Sequence, residues 1–353
     1  MAKQIPTFDG HNDVLLRLYK STSNDPVKDF LEGEEAGHVD LKKAKAGSFL
    51  GGLFALYSPS TGESPGFSRQ MTGGQYALPL PSPLNLEDAR KSVAAELAIL
   101  LKIERASQGA VAICKTVAEV KSTIERGALA VVVHLEGAEA IDDDLNFLEV
   151  LYAAGLRSLG PVWSRSNLFG HGVPFHFPAS PDIGDGLTDA GERLVKACNE
   201  MKILVDLSHI TEKGFWDVAR LTKAPLVATH SNAHALCPSP RNLTDRQLVA
   251  IRESEGMVGL NFATCFLRPD GSMRPDTEID LMVRQIDYLI EKLGEDHVGL
   301  GSDFDGAVVP EKIGSAAGLQ VLFQALRHKG YSEPLLGKLG SGNWLSVLER
   351  TIG

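Results

Sequence analysis

The segment FDGHNDVLL, residues 8–16, places a histidine and an aspartate two positions apart, directly after a short apolar run. Imidazole and carboxylate are both ligands that a borderline cation such as zinc accepts. Side chains two apart on a strand point to the same side, so His11 and Asp13 can reach the same ion. The spacing therefore predicts that this pair belongs to a metal site.

Further ionisable residues end other short apolar segments: Glu136 in ALAVVVHLE, His209 in ILVDLSH, His230 in PLVATHS and Asp303 in VGLGSDF. In a parallel β/α barrel the carboxyl ends of all strands open on one face, so these residues converge there. Three histidines, an aspartate and a glutamate exceed the needs of one tetrahedral ion, which predicts two zinc ions bridged by Glu136. Such a pair activates a shared water as hydroxide, while Asp303 takes and returns the proton.

Eight apolar segments have the composition of buried strands, at residues 5–8, 49–57, 128–136, 156–163, 203–209, 225–231, 257–263 and 298–304. Helical periodicity lies between them, most clearly over 86–106 and 276–294. This alternation predicts the α/β class and a (β/α)8 TIM-type barrel, with residues 1–353 forming a single domain; an open doubly wound sheet is the alternative. Gly, Pro and Ser mark two long loops on the catalytic face, at about 58–85 and 164–186.

The composition argues against several other classes of protein. A net charge of −10 does not suit a nucleic-acid partner. The sequence has no run of eighteen apolar residues, which is the length that a membrane helix needs. The four cysteines are far apart, which predicts neither a disulfide framework nor a zinc ribbon. The amino terminus lacks the apolar stretch of a signal peptide. We therefore expect a cytoplasmic enzyme with no nucleic-acid or membrane partner.

Five segments, in this order, resemble the signature motifs of the membrane dipeptidase (renal dipeptidase) family, peptidase family M19 of the amidohydrolase superfamily. They are FDGHND, HLEGAEA, VDLSHI, ATHSNAHALCPSPRNLTD and VGLGSDFDG, and the resemblance extends to GNWLSVL near the carboxyl terminus. It implies a β/α barrel with a binuclear zinc site that hydrolyses dipeptides, often with a D-residue in the second position. It also implies a homodimer.

The resemblance implies a role for each matching residue. The implied metal ligands are His11 and Asp13 for one zinc, Glu136 as the bridge, and His209 and His230 for the other. Asp303 matches the catalytic acid/base. Arg241, in PSPRNLTD, matches the arginine that binds the free carboxylate of the substrate, a task that suits its planar fork of donors.

One position departs from the family pattern. The family usually carries a histidine after the fourth strand, where it binds the substrate and polarises the carbonyl; this chain has Trp163, in LGPVWSRSN. An indole donates one hydrogen bond and carries no charge. We therefore expect Trp163 to lie in the substrate site and to alter substrate choice or rate. Arg165, His171 and His176 are candidates to supply the missing group.

Two other function classes fit parts of this pattern. An amidohydrolase acting on N-acyl amino acids or related amides and esters would keep the metal ligands and Asp303. A barrel that has lost catalysis and only binds is opposed by the complete set of ligands. Neighbouring polar residues have structural interpretations: His134 lies inside the barrel, Asp9 and Asp305 accept hydrogen bonds around the site, and His38 is a surface or loop residue.

Overall fold

Parallel strands form the centre of the structure, a computed structural model that describes residues 3–60 and 70–353. In chain order the strands of the described residues are β1 (Thr7–Asn12), β2 (Phe49–Tyr57), β3 (Tyr76–Ala77), β4 (Val111–Ile113), β5 (Leu129–Glu136), β6 (Leu156–Gly160), β7 (His176–Phe177), β8 (Leu204–Val205), β9 (Val227–Ala228), β10 (Met257–Asn261) and β11 (Val298–Gly301). Two of them, β3 and β7, form a separate antiparallel pair.

The helices surround the strands. The α-helices of the described residues are α1 (Val14–Lys20), α2 (Pro26–Glu32), α3 (Leu41–Gly47), α4 (Leu86–Ala106), α5 (Val117–Glu125), α6 (Asn146–Ala154), α7 (Asp189–Met201), α8 (Glu212–Leu221), α9 (Asp245–Glu253), α10 (Thr264–Leu267), α11 (Ile279–Leu293), α12 (Gln320–His328), α13 (Glu333–Gly337) and α14 (Asn343–Thr351). The predicted helix at 86–106 has the observed bounds, because Asn85 caps it by accepting a hydrogen bond from Asp88 N–H.

Eight parallel strands form a nearly closed barrel in the order β8, β6, β5, β2, β1, β11, β10 and β9. Between β8 and β9 the pairing is reduced to a bridge between Asp206 and Val227, where Leu207 N–H also donates to the Val227 carbonyl over 2.8 Å. The prediction of a (β/α)8 barrel is therefore confirmed. The short strand β4, which the sequence did not predict, pairs with β5 outside the ring.

Strand β5 shows how the sequence separates the barrel interior from the helix layer. On β5, Val131 and Val133 belong to the apolar core between barrel and helices, whereas Val132 packs inside the barrel. Side chains alternate along a strand, so His134 and Glu136 follow Val132 on the inner side. The interior therefore changes from apolar to ionisable toward the carboxyl end of the strand.

Trp344 closes the amino end of the barrel. Its indole is fully buried among apolar interior side chains, and its Nε1–H donates to the Leu300 carbonyl over 2.8 Å. The ring lies so near β1 that a Cβ at Gly10 would be 2.3 Å from Trp344 Cζ2. Glycine at this position thus lets a large aromatic ring seal the floor, leaving the opposite end for chemistry.

Several barrel strands are shorter than the sequence predicts. The segment predicted at 203–209 contributes only Leu204–Val205, and that at 225–231 only Val227–Ala228. Asp206 is the reason, because its Oδ1 accepts the backbone N–H groups of Ser208 (3.0 Å) and Thr229 (2.8 Å). A side chain here replaces the strand ladder, so the backbone leaves regular pairing before it reaches the site.

The two predicted loops meet over the carboxyl end of the barrel. Strand β3, from the loop at 58–85, pairs with β7, from the loop at 164–186, with Tyr76 opposite Phe177. Residues 61–69 of the first loop lie outside the described residues.

Within the described part of the chain, no helix has both the length and the apolarity to cross a membrane.

Candidate active site and metal centre

Glu136 lies at the centre of the site, at the end of β5. Its Oε1 is 3.0 Å from Nε2 of His209, 3.4 Å from Nε2 of His230 and 3.6 Å from Nε2 of His11. All four side chains are buried. Residues far apart in the sequence therefore converge on one carboxylate oxygen, as donors around a metal ion do.

His11 and Asp13 also meet, although not for the reason that the sequence suggested. Strand β1 ends at Asn12, and Asp13 is the N-cap residue of α1, with a backbone that is not extended. The pairing of β1 with β2 is also irregular between Asp9 and Asn12. The explanation by alternation along a strand is wrong; the turn into α1 brings Asp13 Oδ2 to 3.3 Å from His11 Nε2.

The two remaining histidines are held by hydroxyl groups on their other ring nitrogen. The Thr229 hydroxyl donates to Asp206 Oδ2 over 2.7 Å, so its oxygen accepts from Nδ1–H of His230 over 2.8 Å. Ser164 Oγ contacts His209 Nδ1 at 2.8 Å. Such partners fix the ring and leave Nε2 with a free lone pair, which metal ligation requires. The two Nε2 atoms lie 3.1 Å apart, facing Glu136.

Asp206, Thr229 and Ser164 support the predicted ligands through hydrogen bonds, and the sequence alone did not single them out. Asp206 lies inside VDLSH, three residues before His209, and Thr229 directly precedes His230. Their adjacency to the ligands was the available signal. It could not show that Asp206 accepts from Thr229 and Ser208 together, because that depends on the approach of two different strands.

The cluster has the electrostatics of a cation site. Burial lowers the pKa of His11, but the carboxylates of Glu136 and Asp13 outweigh burial and raise this pKa to about 10. Burial raises the pKa of Glu136 well above its usual range, with Asp13 and Asp303 adding to the effect. Bound protons thus compensate the negative charge of the buried carboxylates. Divalent cations would supply this positive charge in their place.

Unpaired polar atoms provide a second test of whether a metal fits. Within the described residues, neither ring nitrogen of His11 has a hydrogen-bond partner, although both are buried. Donor atoms of His11, Glu136 and His230 lie within 4.8 Å of one another, and so do those of His11, Asp13 and Asp303. Buried polar groups are rarely left without a partner. The residues therefore fit divalent metal ions.

Asp303 lies in the turn after β11, beside this cluster. Its backbone is in the left-handed region, with φ of 58°, which is uncommon for a residue with a side chain. Asn261 Nδ2 donates to its Oδ2 over 2.9 Å. A Cβ at Gly306 would lie 2.7 Å from Asp303 Oδ1 and 2.0 Å from Asp13 Oδ2, so only glycine permits this approach. Asp303 is thus held against the predicted metal ligands.

Arg241 is buried next to the cluster. One terminal nitrogen, Nη2, donates to the His230 carbonyl over 3.2 Å, and the guanidinium lies 5.3 Å from the centre of the Phe266 ring. Its Nε has no hydrogen-bond partner within the described residues. Burial lowers the pKa of Arg241, whereas Asp303 and Glu136 oppose that shift. A buried cation with an unused donor is suited to an anionic ligand.

A cavity of about 550 Å³ opens above these residues. Glu136, His209 and Asp303 form part of its lining, and Trp163 lines it as well. The Trp163 ring lies 5.7 Å from the ring of His209, measured between centres. Tyr57 and Phe175 pack against Trp163 edge to face, at 5.2 and 5.7 Å. The structure therefore places Trp163 in an aromatic wall of the cavity.

None of the three candidates to replace the family's histidine is among the residues that line this cavity. Arg165 is fully buried behind Trp163, and its Nε donates to Glu139 Oε1 over 2.9 Å. His171 contacts Ser166 Oγ at 3.1 Å, and His176 pairs with Ala77 in the small sheet. The expectation that one of them supplies a charged group to the substrate is not supported by these contacts.

His134 lies in the barrel interior directly below the cluster. Its Nδ1 contacts Ser158 Oγ at 2.8 Å, and its ring meets the His11 ring edge to face, with centres 5.4 Å apart. Burial lowers its pKa to about 3. His134 is therefore a neutral residue that supports the ring of His11.

Comparison with known proteins gives a consistent result. The family model described as membrane dipeptidase (peptidase family M19) matches residues 1–352. The chain is 53% identical to a metallo peptidase from Rhodobacter sphaeroides whose crystal structure holds a phosphinate mimic of the dipeptide L-Ala-D-Ala. The two structures superpose with a TM-score of 0.97 over 99% of this chain and 100% of that chain.

Two further relatives extend the comparison. A crystal structure of the metallo peptidase called dipeptidase AC, of family M19, is 53% identical, with a TM-score of 0.96 over 99% of this chain and 100% of that chain. An uncharacterized protein in the pqqA 5′ region of Klebsiella pneumoniae is 52% identical over 72% of this chain and 94% of its own length. The chain therefore belongs to the membrane dipeptidase family, peptidase family M19, and is a metal-dependent hydrolase of the dipeptidase type.

Proposed function

We propose that this protein is a zinc-dependent dipeptidase that hydrolyses small dipeptides, including those of L-Xaa-D-Xaa form. The observation that carries the proposal is the convergence of three histidine Nε2 atoms on Glu136 Oε1, at 3.0, 3.4 and 3.6 Å. The L-Ala-D-Ala mimic bound to the Rhodobacter sphaeroides relative supports a D-residue in the second position.

Two zinc ions are the proposed cofactors. The ligands would be His11 and Asp13 for one ion, His209 and His230 for the other, and Glu136 for both. When bound, such ions would lower the pKa of a water molecule toward neutrality and would polarise a substrate carbonyl. The chain contributes the fixed ring orientations, because Thr229 and Ser164 hold His230 and His209 from behind.

Arg241 is the proposed site for the substrate carboxylate. Its guanidinium is buried, its Nε is unpaired within the described residues, and it lies beside the aromatic ring of Phe266. Bidentate binding by such a fork fixes both position and direction of a carboxylate. Phe266, against which the guanidinium packs, lines the cavity together with Glu136 and His209, over which the scissile carbonyl would lie.

Asp303 is the proposed acid/base. Asn261 holds Oδ2, which leaves Oδ1 to take the proton from the attacking water and to return it to the leaving amine. The amino group of the released residue thereby becomes a neutral leaving group.

We also propose a single-domain, cytoplasmic protein that acts as a homodimer. The four cysteines are unbridged and buried, which suits a reducing compartment. The homodimer follows from the family resemblance and is tested by the mass in solution.

The test is a turnover screen of the zinc-loaded protein against L-L and L-D dipeptides and N-acyl amino acids, with metal measured in the same sample. We expect dipeptide hydrolysis with about two metals per chain. Treatment with a chelator should abolish turnover, and added zinc should restore it. Two bound metals with turnover of N-acyl amino acids alone would move the function to that other class of amidohydrolase.

A further inference from the structure

The catalytic turn after β11 is joined to a distant segment of the chain. Residues 33–39, between α2 and α3, lie against Asp305, two positions after Asp303. The backbone N–H of His38 donates to Asp305 Oδ1 over 2.6 Å, and that of Val39 donates to Oδ2 over 3.2 Å. In return, the backbone N–H of Asp305 donates to Nδ1 of His38 over 2.8 Å. The two residues thus hold each other by reciprocal hydrogen bonds.

The turn that this pair holds is conformationally costly. Asp303 and Asp305 both have a left-handed backbone, with φ of 58° and 68°. This conformation is unfavourable for a residue with a side chain, so it persists only where neighbouring contacts impose it. Asp303 N–H is bound by the His11 carbonyl, at 3.0 Å. For Asp305, the partner of the N–H is the imidazole of His38.

Hydrogen bonds from neighbouring side chains hold the segment at 33–39 in place, so that it can anchor the turn. Lys43 Nζ donates to the carbonyls of Glu34 and Ala36, at 2.7 and 3.1 Å. Arg17 donates to the Val39 carbonyl over 2.7 Å, and its Nε lies 3.1 Å from Asp305 Oδ1. The Asp305 side chain is only 1% exposed, so water competes little for these contacts. The anchor therefore links α1, α3 and the catalytic turn.

We propose that His38 and Asp305 are positioning residues for the acid/base Asp303, holding the left-handed turn that directs its carboxylate toward the substrate. Neither residue lies among the proposed metal ligands, and they act on catalysis only through the backbone of the turn. The inference rests on the proposed role of Asp303. His38 lies in a loop, as the sequence interpretation expected, and its ring packs edge to face on Phe304, with centres 5.5 Å apart.

Loss of the contacts between His38 and Asp305 should lower kcat and leave KM nearly unchanged. A catalytic group displaced by about 1 Å costs up to about 100-fold in rate, while substrate and metal sites elsewhere are untouched. We expect His38→Phe, which keeps the ring on Phe304 but removes the acceptor, to lower kcat about 10- to 100-fold. KM and the content of bound zinc should stay within about twofold of the parent enzyme, because Arg241 and the metal ligands do not contact His38.

Three further variants complete the experiment. His38→Asn places an amide oxygen near the position of Nδ1, so it should recover part of the lost kcat. Asp305→Asn should reproduce the kcat loss, since the amide cannot accept from both backbone N–H groups as the carboxylate does. His328→Phe makes the same change on the exposed end of α12 and should leave kcat unchanged.

The outcomes separate this inference from the function on which it rests. An unchanged kcat in both His38→Phe and Asp305→Asn would overturn the positioning role, and so would a kcat loss that merely follows loss of zinc. Asp303→Asn tests the proposed function by itself and should lower kcat about 100-fold or more. Full activity of Asp303→Asn would refute the acid/base assignment, whatever the His38 variants do.

Discussion

Two buried ionic clusters lie on either side of Trp163 and differ in how completely their nitrogen atoms are paired, although Glu139 Oε2 in the first cluster also has no hydrogen-bond partner within the described residues. Behind it, Arg165 donates from Nε to Glu139 (2.9 Å), from Nη1 to Ser60 Oγ (3.1 Å) and from Nη2 to the Ser58 carbonyl (2.8 Å). In front of it, the cluster around Glu136 has more carboxylates than cations, and within the described residues His11 has two unpaired nitrogens.

This difference separates a structural ion pair from a ligand site. An arginine whose nitrogens are all paired gains nothing from a further partner, so its cluster stabilises the loops that it joins. Unpaired buried nitrogens beside carboxylates cost free energy that only an added cation recovers. The pairing of the nitrogen atoms, complete in Arg165 and incomplete in His11 and Arg241, therefore distinguishes the structural cluster from the candidate ligand site.

The strongest test of this comparison is Glu136→Gln. Removing the shared negative charge should lower metal content below two per chain and kcat/KM by about 10⁴-fold, near 5.5 kcal/mol, because the amide is a poor bridging ligand. Metal analysis and steady-state kinetics measure both effects. Glu295→Gln, on the surface, is the matched control and should change neither. Retention of two metals and of activity would show that Glu136 is not the bridge.

Arg165→Met should affect the stability of the fold instead of metal content. Breaking a buried ion pair leaves Glu139 charged and unpaired, at a cost of about 3–5 kcal/mol in the free energy of unfolding. Urea unfolding of the metal-loaded protein measures this loss. The double variant Arg165→Met/Glu139→Met should recover most of the lost free energy of unfolding, since no buried charge is then left unpaired.

The exposed pair of Arg193 with Asp143 provides the control for this second test. Both side chains are at least half exposed, so Arg193→Met should cost less than about 1 kcal/mol. Loss of zinc from Arg165→Met without loss of stability would contradict the division into a structural and a ligand cluster, because the two would then share one function.

Arg241→Met should show a third, smaller effect, on substrate affinity. A charged hydrogen bond contributes about 1.5–3 kcal/mol, so KM for dipeptides should rise about 10- to 100-fold while metal content is unchanged. Dipeptide amides, which lack the carboxylate, provide the matched substrate and should discriminate little between parent and variant. An equal loss on both kinds of substrate would show that Arg241 supports the His230 backbone and does not bind the carboxylate.

Much of the fold could be predicted from the sequence because β/α alternation is a local signal. Segments such as 49–57 and 86–106 have the observed bounds, and each predicted barrel segment contains an observed strand or overlaps one. Strand ends near the site were less predictable. There Asp206 replaces ladder bonds, and β1 gives way to α1 at Asp13, so rules of alternation stop applying.

The predicted metal ligands do converge, because every carboxyl end in a barrel opens on one face. What the sequence could not show is how each ligand is held. The contact of Ser164 with His209 and the reciprocal bonds of His38 and Asp305 join residues 45 and 267 positions apart. They depend on left-handed backbones at His209 and Asp305, which no local pattern of side chains predicts.

Trp163 separates the two clusters, and changing it should have the smallest effect. Its ring contacts Tyr57 and Phe175 and lies 5.4 Å from the guanidinium of Arg165. Aromatic pairs of this kind contribute about 0.5–1.5 kcal/mol, so Trp163→His should change the ratio of kcat/KM between large and small dipeptides about two- to twelvefold. A panel of L-D dipeptides that differ in one side chain measures this ratio.

The control for Trp163 is Trp163→Phe, which keeps an aromatic ring against Tyr57 but removes the indole N–H. If packing decides substrate choice, Trp163→Phe should stay near the parent ratio and Trp163→His should depart from it. If the indole N–H binds the substrate, Trp163→Phe, which has no donor, should lose kcat/KM on every dipeptide. Unchanged kinetics in both variants would mean that the aromatic wall does not affect substrate choice. The pairing within each cluster would then alone determine the function of that cluster.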